Sequence, residues 1–241
     1  MRHRQPGRSG TCRRAYCTKR RNHLVTILII ARHGNTFGPG DTPTRVGKNT
    51  DIPLVEKGQA QAKAIGTYLK NNDLIPDVAY SSTLMRTKQT AELAIKNAGI
   101  SLPVYPLDIF DEVDYGPDEN QTEDVVINRI GKDAIEKWDK DAIVPDGWNV
   151  NPDDIIHNWK QFGRQITKTH DSLTNDVLDI REKILVVTSN GIARFAPHLT
   201  ESFTQFAKEH TIKLKTGALG ILEHNQGEWR VTGWNIVPIS D

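Results

Sequence analysis

Two cysteines in 241 residues are too few to staple a secreted scaffold, and no Cys or His pair falls at the spacing of a zinc ribbon or finger. The longest apolar or near-apolar run, Leu24 to Ala31, has eight residues, whereas a helix needs roughly 20 to cross a bilayer. Acidic residues are missing altogether from positions 1 to 23, which hold eight of the 31 Lys and Arg. The rest of the chain therefore sets 23 Lys and Arg against 30 Asp and Glu, a net −7 beneath an overall +1. No internal repeat or low-complexity tract occurs beyond that basic opening. The whole chain, 37% hydrophobic and 25% charged, has the composition of a globular protein, expected in a reducing, cytoplasmic compartment and outside any membrane.

The opening 23 residues have little apolar surface to bury and contain both cysteines, Cys12 and Cys17. Such a segment does not fold alone. It reads as a disordered basic arm, an organelle-targeting peptide, a twin-arginine export signal, or the product of a start codon placed upstream of Leu24 or Val25. An export signal would use Leu24 to Ala31 as its apolar core, but that run lacks a small-residue cleavage site and leads straight into the turn that carries the candidate chemistry. An inert extension or misplaced start is the preferred reading, and nucleic acid is expected as a partner only through this arm.

From residue 24 to 241, short apolar runs alternate with helical patterns, the signature of a single α/β domain. The expected architecture is a three-layer αβα fold around a mostly parallel central sheet. Leu24 to Ala31 is too continuously apolar for a half-exposed strand and predicts a central one. A loop from Gly34 to Pro53 follows. Then Gly58, Ala62, Ile65 and Leu69 mark a helix ending at Asn71-Asn72-Asp73. A strand over Asp77 to Tyr80 comes next, with Ser81 or Ser82 as N-cap of a second helix that Gly99 closes. Residues 113 to 180 read as a helical cap insertion over the carboxyl edge of the sheet, with helices over Glu123 to Lys140 and Asp153 to Leu178. Lys183 to Thr188 predicts another buried strand, Gly191 to Lys208 a helix, and Gly217 to Trp234 a hairpin turning at His224-Asn225-Gln226-Gly227.

Ligands of open α/β sheets collect at the carboxyl ends of strands. Arg32 and His33 stand where the first strand stops, Arg86 in the first turn of the helix after the second strand, and Asn190 just past a later one. Glu112 lies on the segment leading into the inserted helices. Two guanidiniums, an imidazole and a carboxylate so placed suit a phosphoryl group and its leaving oxygen.

Four segments in order resemble the histidine phosphatase (phosphoglycerate mutase-like) superfamily, over roughly residues 24 to 235. They are Arg32-His33-Gly34 with Thr36; Asp51-Ile52-Pro53-Leu54 with Gly58 and Gln61-Ala62; Tyr80-Ser81-Ser82-Thr83-Leu84-Met85-Arg86 with Gln89-Thr90-Ala91; and Glu112 with Tyr115-Gly116. The resemblance implies a phosphomonoester hydrolase acting on a small phosphorylated metabolite. His33 would become phosphorylated, Glu112 would donate and accept the proton, and Arg32 and Arg86 would hold the phosphoryl oxygens. No metal or organic cofactor is implied.

One departure stands out. Where the family usually places a second active-site histidine after a strand, this chain reads Val187-Thr188-Ser189-Asn190-Gly191, so Asn190 would hold substrate as a neutral donor. Exchanging a charged hydrogen bond for a neutral one costs on the order of 1 to 2 kcal/mol of transition-state binding. Hence an impaired phospho-ligand-binding or regulatory protein stands as an alternative. So does a mutase-type phosphotransferase, although the arginine-rich stretch with paired prolines found in bisphosphate-dependent mutases has no counterpart between Gly116 and Pro152. Among the other polar groups, Asp153, Asp154 and His157 have helical metal-ligand spacing but suit an exposed first turn. His198 and His224 read as packing or surface residues. Trp138, Trp148 and Trp159 either line a cleft or hold the inserted helices together, and Arg45 and Lys48 stand as candidates for a distal anion.

Overall fold

The computed structural model describes residues 25–168 and 181–239; the readings of residues 1–23 and of the helical pattern beyond residue 168 lie outside them. Six strands form one sheet: β1 (Val25–Arg32), β2 (Val78–Ser81), β3 (Val104–Pro106), β4 (Arg181–Thr188), β5 (Leu219–Asn225) and β6 (Glu228–Ile236). Their order is β3-β2-β4-β1-β5-β6. Neighbours from β3 to β1 run parallel, whereas β5 is antiparallel to both β1 and β6. The sheet is thus mixed and mostly parallel, in an α/β fold. β1 and β4 form its centre because their runs are apolar on both faces; Leu28 to Ala31 and Leu185 to Val187 are fully buried. The three-residue β3, which the pattern did not announce, tolerates Pro106 because it is an edge strand.

Two helices, α1 (Glu56–Asn71) and α2 (Met85–Ala98), cover one face. Ile65, Leu69, Ala91, Ala94 and Ile95 meet Ile27, Ile29, Leu185 and Val187 there. α2 starts later than the serines suggest: Ser82 accepts the Leu84 N–H at 3.2 Å instead of capping the helix directly. Gly99 closes it with φ 83°, a left-handed conformation that glycine adopts without strain.

Between β3 and β4 the chain forms α3 (Glu123–Ile130), α4 (Lys132–Asp141) and α5 (Pro152–Lys168). Gly131, at φ 83° and ψ 153°, splits what the sequence presents as one helix into α3 and α4. α5 is not laid over the edge of the sheet. Trp159, Phe162 and Ile166 recur on one helical face and pack with Leu28, Ile30, Ile184 and Val186, so α5 forms the layer on the second face.

Beyond β4, the expected long helix is three short pieces. These are α6 (Asn190–Ala193), a 3₁₀ turn (Ala196–Leu199) and α7 (Phe203–Glu209), with Pro197 at the break removing a backbone donor. The hairpin turns at Gln226 and Gly227, both at positive φ (54° and 88°), which matches the twist of the flanking strands. The chain leaves β1 for helices on one face and leaves β4 for Ile192, Ala193 and Phe195 on the other. A crevice therefore opens between the carboxyl ends of these neighbouring strands.

A buried acid ties together the segments on either side of α3 and α4. Asp118 is fully buried, accepts the Trp148 indole N–H at 2.7 Å and is gripped by two N–H groups of Arg129. Trp148 in turn meets Tyr115 and Trp138 edge-on, at 4.7 and 5.3 Å between centroids. Burial alone would raise the Asp118 pKa, but the hydrogen bonds from Arg129 and Trp148 and the Arg129 charge outweigh it and lower it. Asp118→Ala strands the indole N–H while Arg129 regains water, so a loss of about 2 to 3 kcal/mol is expected in urea unfolding. Because the folded pKa is depressed, this contribution is present above the unfolded value of about 3.9 and fades as pH falls through the folded one. The gap between native and variant should therefore close in acid; a constant gap would contradict the ion pair.

Candidate active site

His33 lies one residue past β1, where the chain is fixed on every side. Its backbone N–H bonds the Thr188 carbonyl at 3.0 Å, and the Gly217 N–H reaches its carbonyl at 3.1 Å. Gly34 donates to Thr90 Oγ1 at 3.2 Å and Asn35 to Gln61 Oε1 at 2.8 Å. A Cβ on Gly34 would come within 2.3 Å of the Gly58 carbonyl oxygen, and one on Gly58 within 2.1 Å of the Asn35 carbonyl oxygen. Two glycines are therefore required where this turn lies against α1.

The imidazole is buried, and its Nδ1 lies 2.8 Å from the Gly34 carbonyl oxygen. A carbonyl can only accept, so Nδ1 carries the hydrogen. Burial first, then the charges of Arg86 and Arg32, push the His33 pKa well below the usual range, against the opposing effect of the Gly34 bond. At neutral pH the ring is thus uncharged, with the lone pair on Nε2.

Arg32 Nη1 donates to the Leu214 carbonyl at 2.7 Å. Arg86 is fully buried, with Nη1 on the Thr50 carbonyl at 2.8 Å and Nη2 on the Gly47 carbonyl at 3.1 Å. The Nε atoms of both arginines are buried with no hydrogen-bond partner among the described residues. Two N–H groups left unsatisfied beside one imidazole are unusual in a folded protein and suit an anion.

Five acids crowd the segment between residues 111 and 119, and the structure sorts them. Asp111 accepts from Thr83 N and Oγ1, both at 2.8 Å. Asp114 takes the Gly116 N–H at 2.7 Å, Asp118 holds Arg129 and Trp148, and Glu119 accepts from Thr50 Oγ1 at 2.9 Å. Glu112 alone of the five faces the cavity that His33 lines. Its Oε1 accepts the Val113 N–H at 3.0 Å. A Cβ on Gly191 would lie 2.1 Å from that same oxygen, so the carboxyl has its place because residue 191 has no side chain. Burial raises the Glu112 pKa against the Val113 N–H and the charges of Arg86, Arg194 and Arg32. Its acid form therefore persists to higher pH than in an ordinary glutamate.

The amide of Asn190, at the start of α6, is oriented by the Leu214 N–H, which donates to Oδ1 at 2.9 Å. Its NH₂ end has no partner among the described residues. Leu214 links this amide to Arg32 through its carbonyl, so the two side chains hold one loop from opposite sides.

The cavity measures about 510 Å³, and its wall includes Arg32, His33, Glu112 and Asn190. Arg86 stands behind that wall. Arg45 lines it, paired with Glu123 at 2.6 Å, whereas Lys48 does not. Trp138 both faces the cavity and packs in the core, while Trp148 and Trp159 only pack. Asp153 and Asp154 are exposed and share cap bonds with Asn151; no metal-binding group of three His, Cys, Asp or Glu occurs among the described residues. His198 stacks on Phe203 at 3.5 Å, with burial lowering its pKa to about 4. No helix among the described residues is long and apolar enough to cross a membrane. The sequence reading did not single out Tyr115, Asp139, Arg194 and Lys213 as wall residues; only the position of Arg194, four residues past Asn190 on a helical turn, could have signalled one of them.

The chain is similar to known proteins over most of its length. The family model of the histidine phosphatase superfamily, branch 1, matches residues 28–237. The uncharacterized phosphatase PhoE of Bacillus subtilis (strain 168) is 26% identical over 212 residues, 88% of this chain and 95% of that protein. The 2,3-bisphosphoglycerate-dependent phosphoglycerate mutase of Blochmanniella pennsylvanica is 24% identical over 186 residues, 77% of this chain and 75% of the mutase. A solved phosphoglycerate mutase from Bacillus anthracis has the same fold at TM-score 0.71 and 21% identity, covering 90% of this chain and 95% of its own. A mycobacterial glucosyl-3-phosphoglycerate phosphatase superposes at TM-score 0.69 and 18% identity, covering 88% and 99%. With a family model spanning nearly the whole sheet and its helices, the chain belongs to branch 1 of the histidine phosphatase superfamily.

Proposed function

We propose that the protein hydrolyses a small phosphomonoester through a phosphohistidine formed on His33. The observation that carries this reading is the tautomer: Nδ1–H is committed to Gly34 at 2.8 Å, and burial beside two guanidiniums disfavours a second proton. Nε2 is then the nucleophile. As its bond to phosphorus forms, the bond to the leaving oxygen breaks, and Glu112 gives its proton to that oxygen. Charge spreading over the peripheral oxygens is met by Arg32, Arg86 and the free NH₂ of Asn190. In the second half, water attacks phosphorus, its proton passes to the Glu112 carboxylate, and phosphate leaves with His33 restored. The cavity of about 510 Å³ suits a metabolite-sized substrate, and names among the relatives, phosphatases and phosphoglycerate mutases, agree with phosphoryl chemistry.

Reaction with a ³²P-labelled phosphomonoester, quenched in alkali, is expected to leave base-stable, acid-labile label on His33. His33→Ala should show neither label nor turnover above background. Hydrolysis that proceeds with the label absent, or that survives His33→Ala, would overturn the reading. Glu112→Gln is expected to slow alkyl phosphates about 10²- to 10⁴-fold, and 4-nitrophenyl phosphate far less because its leaving group needs no proton.

The pH dependence follows from the same two groups. The lowered His33 pKa moves the acid limb of kcat/KM well below pH 6.5, and the raised Glu112 pKa sets an alkaline limb above the ordinary glutamate value. Nitrogen NMR of the ring should show a neutral Nδ1–H tautomer at pH 6, and the alkaline limb should vanish in Glu112→Gln. A ring that titrates near 6.5 would contradict the assignment.

A further inference from the structure

The reaction leaves several charged groups of the cavity wall without a task, Arg194 among them. Arg194 follows Asn190 by one helical turn and is 1% exposed, and the two line the same cavity. Its guanidinium is fixed before any ligand arrives. It lies 4.1 Å over the Trp138 ring, Nη1 donates to the Trp138 carbonyl at 2.5 Å, and Nε donates to the Asn190 carbonyl at 3.2 Å. Nη2 makes no hydrogen bond among the described residues. Asp139 has Oδ1 3.9 Å from it and holds Lys213 Nζ at 2.5 Å with its other oxygen, Oδ2.

The other cations of the wall are committed. Arg45 is paired with Glu123 and Lys213 with Asp139, while Arg32 lies beside the nucleophile. Among these cations Arg194 has the loosest ion pair, its Nη2 making only the 3.9 Å contact with Asp139, although Arg45 also keeps a buried Nε without a partner among the described residues. Its location is also distinct. Arg194 shares Tyr115, Asp139 and Glu112 with Arg32, but its charge acts on Glu112, whereas the charges acting on His33 are those of Arg86 and Arg32. Glu112 is the group assigned to the leaving oxygen, so Arg194 stands on the leaving-group side.

We propose that Arg194 is a specificity-determining residue that grips a second anionic group of the substrate, a carboxylate or phosphate carried by the leaving group, through Nη2, which has no hydrogen bond among the described residues. The role of the leaving-group side rests on the phosphatase reading; the grip on an anion does not. A guanidinium already stacked and pinned loses little side-chain freedom when it binds. Asn190 brings no charge to this wall, and Arg194 supplies one from the next turn.

Three matched probes test this: phosphoglycolate, ethylene glycol bisphosphate and the neutral 2-hydroxyethyl phosphate. The native protein is expected to favour an anionic probe over the neutral one in kcat/KM by roughly 10- to 100-fold, the range of a charged hydrogen bond. Whichever of the two wins identifies carboxylate or phosphate. Arg194→Met should collapse that ratio toward one, and Arg194→Lys should keep part of it. No anionic preference in the native protein, or an equal fall on all three probes, would overturn the proposal.

Unfolding midpoints accompany each variant. If Arg194→Met does not fold, the ratio is read from Arg194→Lys and Arg194→Gln. Should none of the probes be hydrolysed, the phosphatase reading fails, and the same ratio is taken from calorimetric dissociation constants. Arg194 then stands or falls on that number alone.

Discussion

Nδ1 of His33 gives its hydrogen to the Gly34 carbonyl at 2.8 Å, and from that bond the chemistry of the cavity follows. A buried ring between guanidiniums resists a second proton, so fixing one nitrogen as the donor leaves the other as a lone pair. The bond survives because the turn around it has almost no freedom. The His33 N–H is tied to β4 through Thr188, the Gly34 N–H to Thr90 in α2, and the backbone of Gly34 rests against Gly58 in α1. The sheet and two helices thus converge on one imidazole, and the fold's own stability is what keeps the nucleophile in register.

The same economy governs the charges. Arg32 and Arg86 bring cations to the ring, yet each is partly satisfied by backbone carbonyls, which lets Arg32 stand half-buried and Arg86 fully buried without a carboxylate partner. Asn190 and Arg32 meet through Leu214, so an uncharged side chain takes part in orienting a charged one. Glu112 has its pKa raised by burial and is seated over Gly191. Its four acidic neighbours are all engaged in tying down loops, which separates the candidate proton donor from groups of identical chemistry.

Much of this was legible from residue types in order. The central strands announced themselves because a run such as Ile27 to Ile30 has nowhere to go but between two layers. The positions of Arg32, His33 and Asn190 at strand ends then followed from where parallel sheets open. The hairpin at Gln226-Gly227 and the Gly99 cap were readable because left-handed backbone restricts the choice of residue. Helix continuity was harder. Glu123 to Lys140 and Gly191 to Lys208 have helical composition, and only Gly131 and Pro197, in a context of tertiary contacts, decide that each is broken. α5 was misplaced because an apolar stripe tells that a face is buried but not against what.

Local chemistry written along the chain thus settled the fold class, the central strands and the residues at their carboxyl ends, since burial preference and backbone strain are properties of short segments. Which of five acids would line the cavity of His33, and that Arg194 would enter the same cavity, depended on contacts between positions far apart in sequence. Glu112 meets Gly191 across 79 positions, and Arg194 meets Trp138 across 56. No periodicity encodes such encounters. They are fixed by the order of strands in the sheet, because it is the placing of β4 beside β1 that brings the two ends of the site within reach of each other.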